Sequence, residues 1–332
     1  MIIGAVVVGL AFAFVLGVSD APNASAALVG TGTSRYGPAM VFSFVLHTLG
    51  GLVGGTAVAA TVAGMIKVSG HDAGAAYTAG AFAAVVFVVA ATRMGLPTSA
   101  SFGLVGGLVG AAFVEGGSSA ISWGGIDGLR PHGVAGALVA MLVSPFIGAA
   151  AGAAARRLLA ISLRRATRRV MGPVRGGMWV AAGLVALSDG SNDGQKAMGI
   201  IAGALVADGS LQHFAVPVWA RVTVAVVLAS GTALGGRRLI RTVGRHLYRE
   251  RQLDGLAAQA GAAFAVLGAG WAGAPVSTSS VVTASVVGVG LEQRSRHVRW
   301  PIVGKTVTAW VVTVPVCAVV GALAFVGIRL LP

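Results

Sequence analysis

Charged residues are scarce in this chain, and acidic residues are the scarcest of them. Only 10% of the 332 residues are charged and only 10 are Asp or Glu, whereas a soluble domain carries roughly 25% charged residues. Hydrophobic residues fill 56% of the sequence. This balance excludes an ordinary soluble enzyme or binding domain and predicts an integral membrane protein.

Cysteine and the common catalytic motifs are also missing. The one cysteine, Cys317, lies in an apolar run, which excludes a disulfide framework and a thiolate metal centre. The sequence has no P-loop and no nucleophile elbow with His and Asp partners, which argues against an intramembrane hydrolase. We therefore predict that the chain is not an enzyme and needs no cofactor.

Arginine is the abundant charged residue, and its placement indicates a topology. Of 24 basic residues 21 are Arg, and most lie in three short segments at 156–175, 237–251 and 294–299. Such clusters between apolar runs follow the positive-inside rule, and we prefer this interpretation to nucleic-acid binding. It predicts a multi-pass protein of the cell membrane, a bacterial inner membrane by composition, with both termini on the outer side. The N-terminal run at 1–17 lacks a basic start, so we expect a retained span rather than a signal peptide.

Apolar stretches of spanning length recur along the chain. They lie at about 1–30, 38–62, 74–95, 133–153, 177–207, 214–236, 256–274 and 301–327. Polar patches interrupt the first and fifth stretches, and polar backbone at membrane depth is tolerated where it lines a cavity. We therefore expect broken helices at 19–25 and 188–196, a feature of secondary transporters.

The two polar patches belong to an internal repeat. SDAPNASAALVG at 19–30 aligns with NDGQKAMGIIAG at 192–203, which pairs Asp20 with Asp193. A second alignment, SDAPN with SDGSN, pairs Asp20 with Asp189. We favour the first because its offset is closer to that of the other repeated segment, but the sequence leaves both open.

The other repeated segments are the apolar runs that begin with proline and hydroxyl residues. GLPTSASFGLVGGLVG at 95–110 aligns with GAPVSTSSVVTASVVG at 273–288, and each is expected to form a re-entrant hairpin with the preceding span. With the basic segments inside, the two halves run in opposite directions. The predicted fold is therefore an all-α polytopic membrane protein of two inverted-topology repeats with broken helices and two re-entrant-type helical hairpins. The predicted units are a first repeat at 1–153, a basic cytoplasmic linker at 154–176 and a second repeat at 177–332.

Carboxylates in the predicted spans are candidates for a cation site. An ionised carboxylate in hydrocarbon costs roughly 2.5 kcal/mol or more, so such groups are functional by default. A structural ion pair of Asp193 with Lys196 is the alternative, but it would not account for Asp20. The candidates for binding a coupling cation, Na⁺ or H⁺, are Asp20, Asn23, Asp189 and Asp193.

Hydroxyl residues at the two hairpin starts are candidates for an oxyanion site. Free amides and hydroxyls at a helix start attract anions, although ordinary N-capping is the alternative for each hairpin alone. The candidates for binding substrate are Thr98, Ser99, Ser101, Ser277, Thr278 and Ser279, together with Asn192 and Gln195. His47 and Arg221, at nearly matched positions, and Arg93 could line the pathway or serve only as buried or snorkelling groups.

Several segments in order along nearly the whole chain resemble the inorganic phosphate transporter (PiT) family. They are SDGSNDGQKAMG, GGRRLIRTVG, GLAAQAGAAFAV, PVSTSS and WVVTVP. The resemblance implies Na⁺- or H⁺-coupled uptake of phosphate, or of a neutral complex of phosphate with a divalent metal, and related members carry sulfate. It also implies that the motif residues named above form the site.

This chain departs from the family pattern at five positions. Ser19 stands where the family usually has Asn, Pro22 where it has Ala, and Asp189 where it has His. Ala100 and Phe102 stand where a hydroxyl and His are common. These changes remove ligands of the kind that select a cation, so the coupling ion stays open.

The chemistry of the anion favours phosphate over sulfate. Phosphate keeps an O–H donor at neutral pH and sulfate has none, so three carboxylates suit phosphate unless bound cations neutralise them. A sulfate permease of the same family is the main alternative, and an anion channel is a weaker one. The bilayer, the anion and the coupling cation are the expected partners, and the sequence leaves a homodimer open.

Overall fold

Long apolar runs form long helices in the computed structural model, which describes residues 1–94, 99–165, 170–246, 252–293 and 300–330. The first repeat contains α1 (Ile2–Gly30), α2 (Tyr36–Val53), α3 (Ala57–Ala63), α4 (His71–Arg93), α5 (Ala100–Gly116) and α6 (Gly133–Ser162). The second contains α7 (Met171–Ala207), α8 (Val218–His246), α9 (Gln252–Trp271), α10 (Thr278–Gln293) and α11 (Trp300–Arg329). A 3₁₀ turn (Gly117–Ala120) and a hairpin of β1 (Gly125–Asp127) and β2 (Arg130–His132) link α5 to α6.

Eight of the helices in these described ranges are long and apolar enough to cross a membrane. The longest helix, α7, has 37 residues, which corresponds to about 55 Å at 1.5 Å per residue and exceeds the roughly 30 Å of a hydrocarbon core. The chain is therefore a multi-pass membrane protein. Seven of the apolar stretches predicted from the sequence fall on helices of this set, and the stretch at 177–207 falls on α7, which is not one of the eight. The eighth helix of the set is α5.

The position of the helix break differs from the prediction. Both α1 and α7 continue as helix through their polar patches, so the expected breaks at 19–25 and 188–196 are wrong. Their polar side chains find partners on neighbouring helices, so the backbone need not unwind to satisfy them. The break lies instead at 54–56, between α2 and α3, where the predicted span at 38–62 divides.

The two repeats exchange partners. The first helix of each repeat packs on the second helix of the other, so that α1 lies against α8 and α7 lies against α2. Each hairpin, α4–α5 or α9–α10, packs on the last helix of the other repeat, α11 or α6. This exchange is what an approximate two-fold axis between the repeats produces.

Close glycine crossings fix the register of the repeat. A methyl group on Gly17 would lie 2.0 Å from the carbonyl oxygen of Leu228, and one on Gly190 would lie 2.2 Å from that of His47. Gly17 and Gly190 are 173 positions apart, and the same separation joins Asp20 to Asp193. The first alignment of the two patches is therefore confirmed.

The hairpins repeat in the register that the sequence predicts. A methyl group on Gly110 of α5 would lie 1.9 Å from the carbonyl oxygen of Ala318 on α11. A methyl group on Gly288 of α10 would lie at the same distance from the carbonyl oxygen of Ala149 on α6. The two glycines are 178 positions apart, as in the predicted alignment of the hairpins. Each crossing leaves no room for a side chain, so the hairpin helices sit directly against α11 and α6.

The direction of the two repeats is opposite. Gly9, near the start of α1, lies against Ile201, near the end of α7. Asn23, later in α1, bonds Asp189, which comes earlier in α7. The two helices are therefore antiparallel and cross near Asp20 and Asp193. The inverted repeat predicted from the sequence is confirmed.

Candidate functional site

The polar patch of α1 is built around Asp20 and Asn23. One helical turn separates them, and the Asn23 amide donates to Asp20 Oδ1 at 3.2 Å. The same amide nitrogen donates to Asp189 Oδ2 on α7 at 3.0 Å. Asn23 therefore bridges two carboxylates, and both are almost completely buried, Asp20 at 6% exposure and Asp189 at 0%.

The polar patch of α7 supplies Asp193 and Lys196. Lys196 is fully buried, and its ammonium donates to Asp193 Oδ1 at 2.5 Å, so the ion pair considered from the sequence is present. The ammonium also donates to Ser101 Oγ at 2.7 Å and to the carbonyl oxygen of Val276 at 2.5 Å. Lys196 thus joins α7 to both hairpin tips.

The tip of the second hairpin contacts both aspartates of the repeat. The Ser279 hydroxyl donates to Asp20, and the Thr278 hydroxyl donates to Asp193 Oδ2 at 3.0 Å. Ser277 and Ser280 share a hydrogen bond of 2.6 Å between their hydroxyls. The hairpin start therefore faces α1 and α7 with hydroxyl groups, which donate to carboxylates.

The tip of the first hairpin is less polar. The Ser101 hydroxyl donates to the Val276 carbonyl at 3.2 Å, and Ser99 Oγ accepts from the backbone N–H of Phe102 at 3.5 Å, as an N-cap does. Phe102 stacks on Trp310, with ring centroids 6.1 Å apart. Thr98 lies outside the described residues.

Two predicted substrate residues of α7 lie beside the carboxylates, on another face of the helix. The Asn192 amide donates to the carbonyl of Ala274 at 3.1 Å and its oxygen accepts from the N–H of Val276 at 3.3 Å. Gln195 Oε1 accepts from the N–H of Val58 at 2.9 Å, at the start of α3. Asn192 thus holds the second tip, whereas Gln195 faces the α2–α3 break.

Sequence reasoning missed Gln259. This buried residue of α9 donates through Nε2 to the backbone carbonyl of Asn23 at 2.7 Å, so the second hairpin also holds α1 through its first arm. The available signal was a lone amide in an apolar span. Val276 was also missed, because its contribution is a backbone carbonyl that no side-chain pattern can indicate.

The described hydrogen bonds of the remaining intramembrane candidates do not reach this cluster, although the backbone of His47 packs against Gly190, next to Asp189. His47 is buried, and its Nδ1 lies 2.8 Å from the carbonyl of Ser43 on the same helix. The glycine crossings make Leu228, and not Arg221, the repeat equivalent of His47, so the near match of the two positions in the sequence is not an equivalence in the fold. Arg93 is exposed at the end of α4.

The site carries an excess of acid. Among the residues that the structure describes, Asp20, Asp189 and Asp193 converge with a single ammonium, that of Lys196, and the buried Asp189 Oδ1 has no hydrogen-bond partner. Within the described residues no group of three His, Cys, Asp or Glu side chains has the arrangement of a metal centre. A cation here would draw on mixed carboxylate, amide and hydroxyl oxygens, as an alkali ion or a proton can.

Comparisons with known proteins agree with this architecture. The sequence profile of the Phosphate transporter family matches twice, at residues 16–172 and 163–321. Across its full length the fold is similar to a solved structure described as the sodium-dependent phosphate transporter, with a TM-score of 0.88, 19% identity and 99% of that chain covered.

Similar sequences occur in several bacteria. A probable low-affinity inorganic phosphate transporter of Rhizobium meliloti (strain 1021) is 34% identical, over 98% of this chain and 96% of the relative. One of the same description from Mycobacterium tuberculosis (strain ATCC 25618 / H37Rv) is 35% identical, over 96% of this chain and 76% of the relative. With two profile matches that together cover most of its length, this chain belongs to the phosphate transporter family.

Proposed function

We propose that the chain carries inorganic phosphate across the membrane together with Na⁺ or H⁺, by alternating access to the site between the hairpin tips. The relatives described as phosphate transporters support the substrate, and the solved neighbour described as sodium-dependent supports a coupling cation. The observation that carries the proposal is the charge of the site. Three buried carboxylates face one lysine.

That charge requires a cation to accompany the anion. Lys196 already donates to Asp193, Ser101 and Val276, so its ammonium is committed before any substrate arrives. Two like unit charges about 6 Å apart repel by roughly 3 kcal/mol at an effective dielectric constant of about 20. An oxyanion therefore binds well only if a cation or proton neutralises the remaining carboxylates, which is the condition for symport.

The cation would bind on the α1 side of the site. Asp20, Asn23 and Asp189 form a connected group, and within the described ranges no cationic side chain bonds to it and Asp189 Oδ1 has no partner. At the position equivalent to Asn23 the second repeat has Lys196. The fixed ammonium therefore serves Asp193, and the mobile cation serves the other two carboxylates.

The anion would bind at the hairpin tips. Ser277, Thr278 and Ser279 with the free amides at the start of α10 supply donors, and Ser101 supplies one more from α5. Thr278 and Ser279 are hydrogen bonded to Asp193 and Asp20, so binding of either ion changes the partners of the other. Movement of the hairpins against α1 and α7 would then depend on both ions.

The proposed orientation follows from the basic segments. With 156–175 and 237–251 in the cytoplasm, both termini lie on the outer side of the cell membrane. The proposed boundary between the repeats is the basic stretch 154–176. The order of the long helices supports it, because α1, α2, α4, α5 and α6 precede this stretch as α7 to α11 follow it, and α3 and the β1–β2 hairpin are additions in the first repeat.

Uptake of labelled phosphate into proteoliposomes tests the proposal. We expect accumulation driven by an inward Na⁺ or H⁺ gradient, saturable in phosphate and unaffected by excess sulfate. Uptake blocked by sulfate, with labelled sulfate itself accumulating, would assign the chain to sulfate. Equal flux with and without cation gradients would refute symport, and electrical conductance without saturation would indicate a channel.

A further inference from the structure

A short helix covers the turn that leads into the second hairpin tip. This helix, α3, follows the break after α2 and has no counterpart among the described helices of the second repeat. Gly273, between α9 and the tip, is buried, and a methyl group on it would lie 3.2 Å from Cβ of Ala57, the first residue of α3. The base of the tip therefore rests on α3.

On its other side α3 is attached to the connection that carries the β1–β2 hairpin. The Thr61 hydroxyl of α3 lies 3.5 Å from the carbonyl oxygen of Pro131 in β2, and residues 65–67 bond to the residues before β1. The β1–β2 hairpin exposes Asp127 and Arg130, and charged side chains are costly in hydrocarbon, so this hairpin belongs to an aqueous face. In the proposed orientation it is the outer face. The helix α3 thus separates the tip from that face.

Two hydrogen bonds hold α3 in this place. The Thr61 hydroxyl donates to the carbonyl oxygen of Gly273 at 2.8 Å. Gln195 Oε1, two positions after Asp193 on α7, accepts from the N–H of Val58 at 2.9 Å. The first N–H groups of a helix have no acceptor within the helix, so Gln195 completes the start of α3. The helix α3 is therefore bonded both to the second tip and to the helix that carries two of the carboxylates.

The carbonyl of Gly273 depends on Thr61. Gly273 has a φ of +70° and ends α9, where its N–H and that of Ala274 donate back to carbonyls of α9. Those bonds leave the Gly273 carbonyl free to accept from Thr61. The carbonyl of Ala274, the next residue, accepts from Asn192 on α7. The base of the tip is thus held by α3 on one side and by α7 on the other.

The contact of α3 with the tip is easier to break than its contact with α7. Thr61 Oγ is also 3.1 Å from the carbonyl of Ala57 in its own helix, so the hydroxyl keeps an acceptor when Gly273 moves away. In contrast, a methyl group on Gly199 of α7 would lie 2.7 Å from the carbonyl oxygen of Ala59. This close crossing fixes α3 to α7, and the tip is the part that can leave.

We propose that α3 seals the ion site on the β1–β2 side of the membrane, and that the second tip must leave α3 for phosphate to pass on that side. The structure is the sealed state, in which Thr61 bonds Gly273. Gln195 is a positioning residue that acts by holding α3 on α7. This inference rests on the proposed function, because it assigns one step of alternating access to these residues.

A reversible cross-link tests the seal. In Ala57→Cys with Gly273→Cys the Cβ atoms would lie 3.2 Å apart, slightly closer than the roughly 3.5–4.5 Å of a disulfide. Oxidation in proteoliposomes should abolish phosphate uptake, and reduction should restore it. Both measurements use one polypeptide, so strain from a side chain at Gly273 does not explain the difference. Uptake by fully cross-linked protein would overturn the proposal.

The matched control is a second disulfide on the same face. In Gly116→Cys with Ala120→Cys the Cβ atoms would lie 3.0 Å apart, in the connection that precedes β1 and away from the tip. This variant should keep its uptake when it is oxidised. Equal inhibition of the two double variants by oxidation would overturn the proposal, because the effect would then not depend on joining α3 to the tip.

Labelling of the tip is a second test that needs neither a cross-link nor transport. Ala274→Cys places a buried thiol beside Gly273, and the probe is a membrane-impermeant thiol reagent added on the β1–β2 side of oriented proteoliposomes. The wild-type chain, with its buried Cys317, is the blank. If Ala274→Cys does not fold, Val276→Cys takes its place, since that residue is also buried in the tip.

We expect Thr61→Val to speed this labelling about fivefold. In the sealed state it leaves the buried carbonyl of Gly273 without a donor, whereas water reaches that carbonyl when the tip has moved. Thr48→Val is the matched control, since Thr48 is also half-buried and its hydroxyl bonds its own helix at Phe44. Equal labelling rates in the two variants would overturn the proposal.

The seal and the proposed function can fail separately. Labelling rates are measured without transport, whereas the proposed function is tested by uptake in the wild-type protein. Wild-type protein that takes up no phosphate would refute the proposed function. Wild-type uptake together with an active, fully cross-linked double variant of Ala57 and Gly273 would refute the seal and leave the proposed function standing.

Discussion

Two aspartates at equivalent places in the repeats have very different surroundings. Asp193 is neutralised by Lys196 at 2.5 Å, one helical turn along α7. Asp20 has an amide, Asn23, at the equivalent position and a hydroxyl from Ser279. The comparison teaches that a shared backbone can hold unequal chemistry: one aspartate has a lysine beside it, and in the described structure its equivalent has an amide and a hydroxyl.

The hairpin tips differ in the same way. Thr278 and Ser280 of the second tip correspond to Ala100 and Phe102 of the first. Two hydroxyls are thus replaced by a methyl group and a ring that stacks on Trp310. Polar contacts to the carboxylates therefore come mainly from the second tip, and the first tip contributes packing and one bond to the lysine.

Removing the permanent cation should have the largest effect. Lys196→Gln leaves Asp193 buried without its cation, which typically costs about 3–5 kcal/mol. We expect a large fall in the thermal unfolding midpoint in detergent and loss of phosphate uptake. The double variant Lys196→Gln with Asp193→Asn should regain most of the stability, because no unpaired charge remains. A single variant as stable as wild type would contradict the assigned pair.

Asp20→Asn should separate function from stability. The new amide oxygen can still accept from Asn23 and Ser279, and no buried cation is left unpaired. We expect stability to change by less than about 1 kcal/mol while cation-driven uptake falls about 100-fold. Asp193→Asn is the matched comparison, and it should destabilise the protein strongly because Lys196 loses its carboxylate. Equal loss of stability in the two variants would contradict the difference between the repeats.

Asp189 should tune the affinity for the cation. Asp189→Asn keeps an acceptor for Asn23 but removes a charge and its unpartnered oxygen. We expect about a tenfold higher half-saturating cation concentration, with uptake largely restored at saturation, as measured by uptake against Na⁺ concentration and pH. Ser188→Ala is the control, since that hydroxyl bonds its own helix at Val185. Unchanged cation dependence in Asp189→Asn would remove this residue from the cation site.

The fold could be predicted from the sequence because a membrane restricts a chain to a small number of helix arrangements. Apolar length gave the spans, arginine placement gave the opposite directions of the repeats, and the paired motifs gave the register. The predicted positions of the helix breaks were wrong because a polar patch in a membrane span is compatible with two structures. Either the backbone unwinds to line a cavity, or neighbours satisfy the side chains, as Lys196 and Ser279 do here. Only tertiary contacts decide between them.

The candidate site was predictable in its residue types but not in its pairings. Spacing indicated that Asp193 and Lys196 lie on one face of α7, and the structure places them together. No pattern could indicate that Asn23 joins Asp20 to a carboxylate 166 positions away, or that Gln259 holds the carbonyl of Asn23. Such contacts depend on how α1, α7 and α9 cross.

Equivalent serines of the two tips should differ in their effects, and Ser101→Ala should have the smallest effect of these variants. Ser279→Ala removes the only hairpin hydroxyl found on Asp20 in the described part of the chain, and a hydrogen bond to a charged group contributes roughly 1.5–3 kcal/mol. Ser101→Ala removes one of three acceptors of Lys196, and Asp193 and Val276 remain. We expect about a tenfold rise in the phosphate KM for Ser279→Ala and about a twofold rise for Ser101→Ala, measured as initial uptake rates. Equal rises would mean that the two tips contribute alike, and a larger rise for Ser101→Ala would move the anion towards the first hairpin.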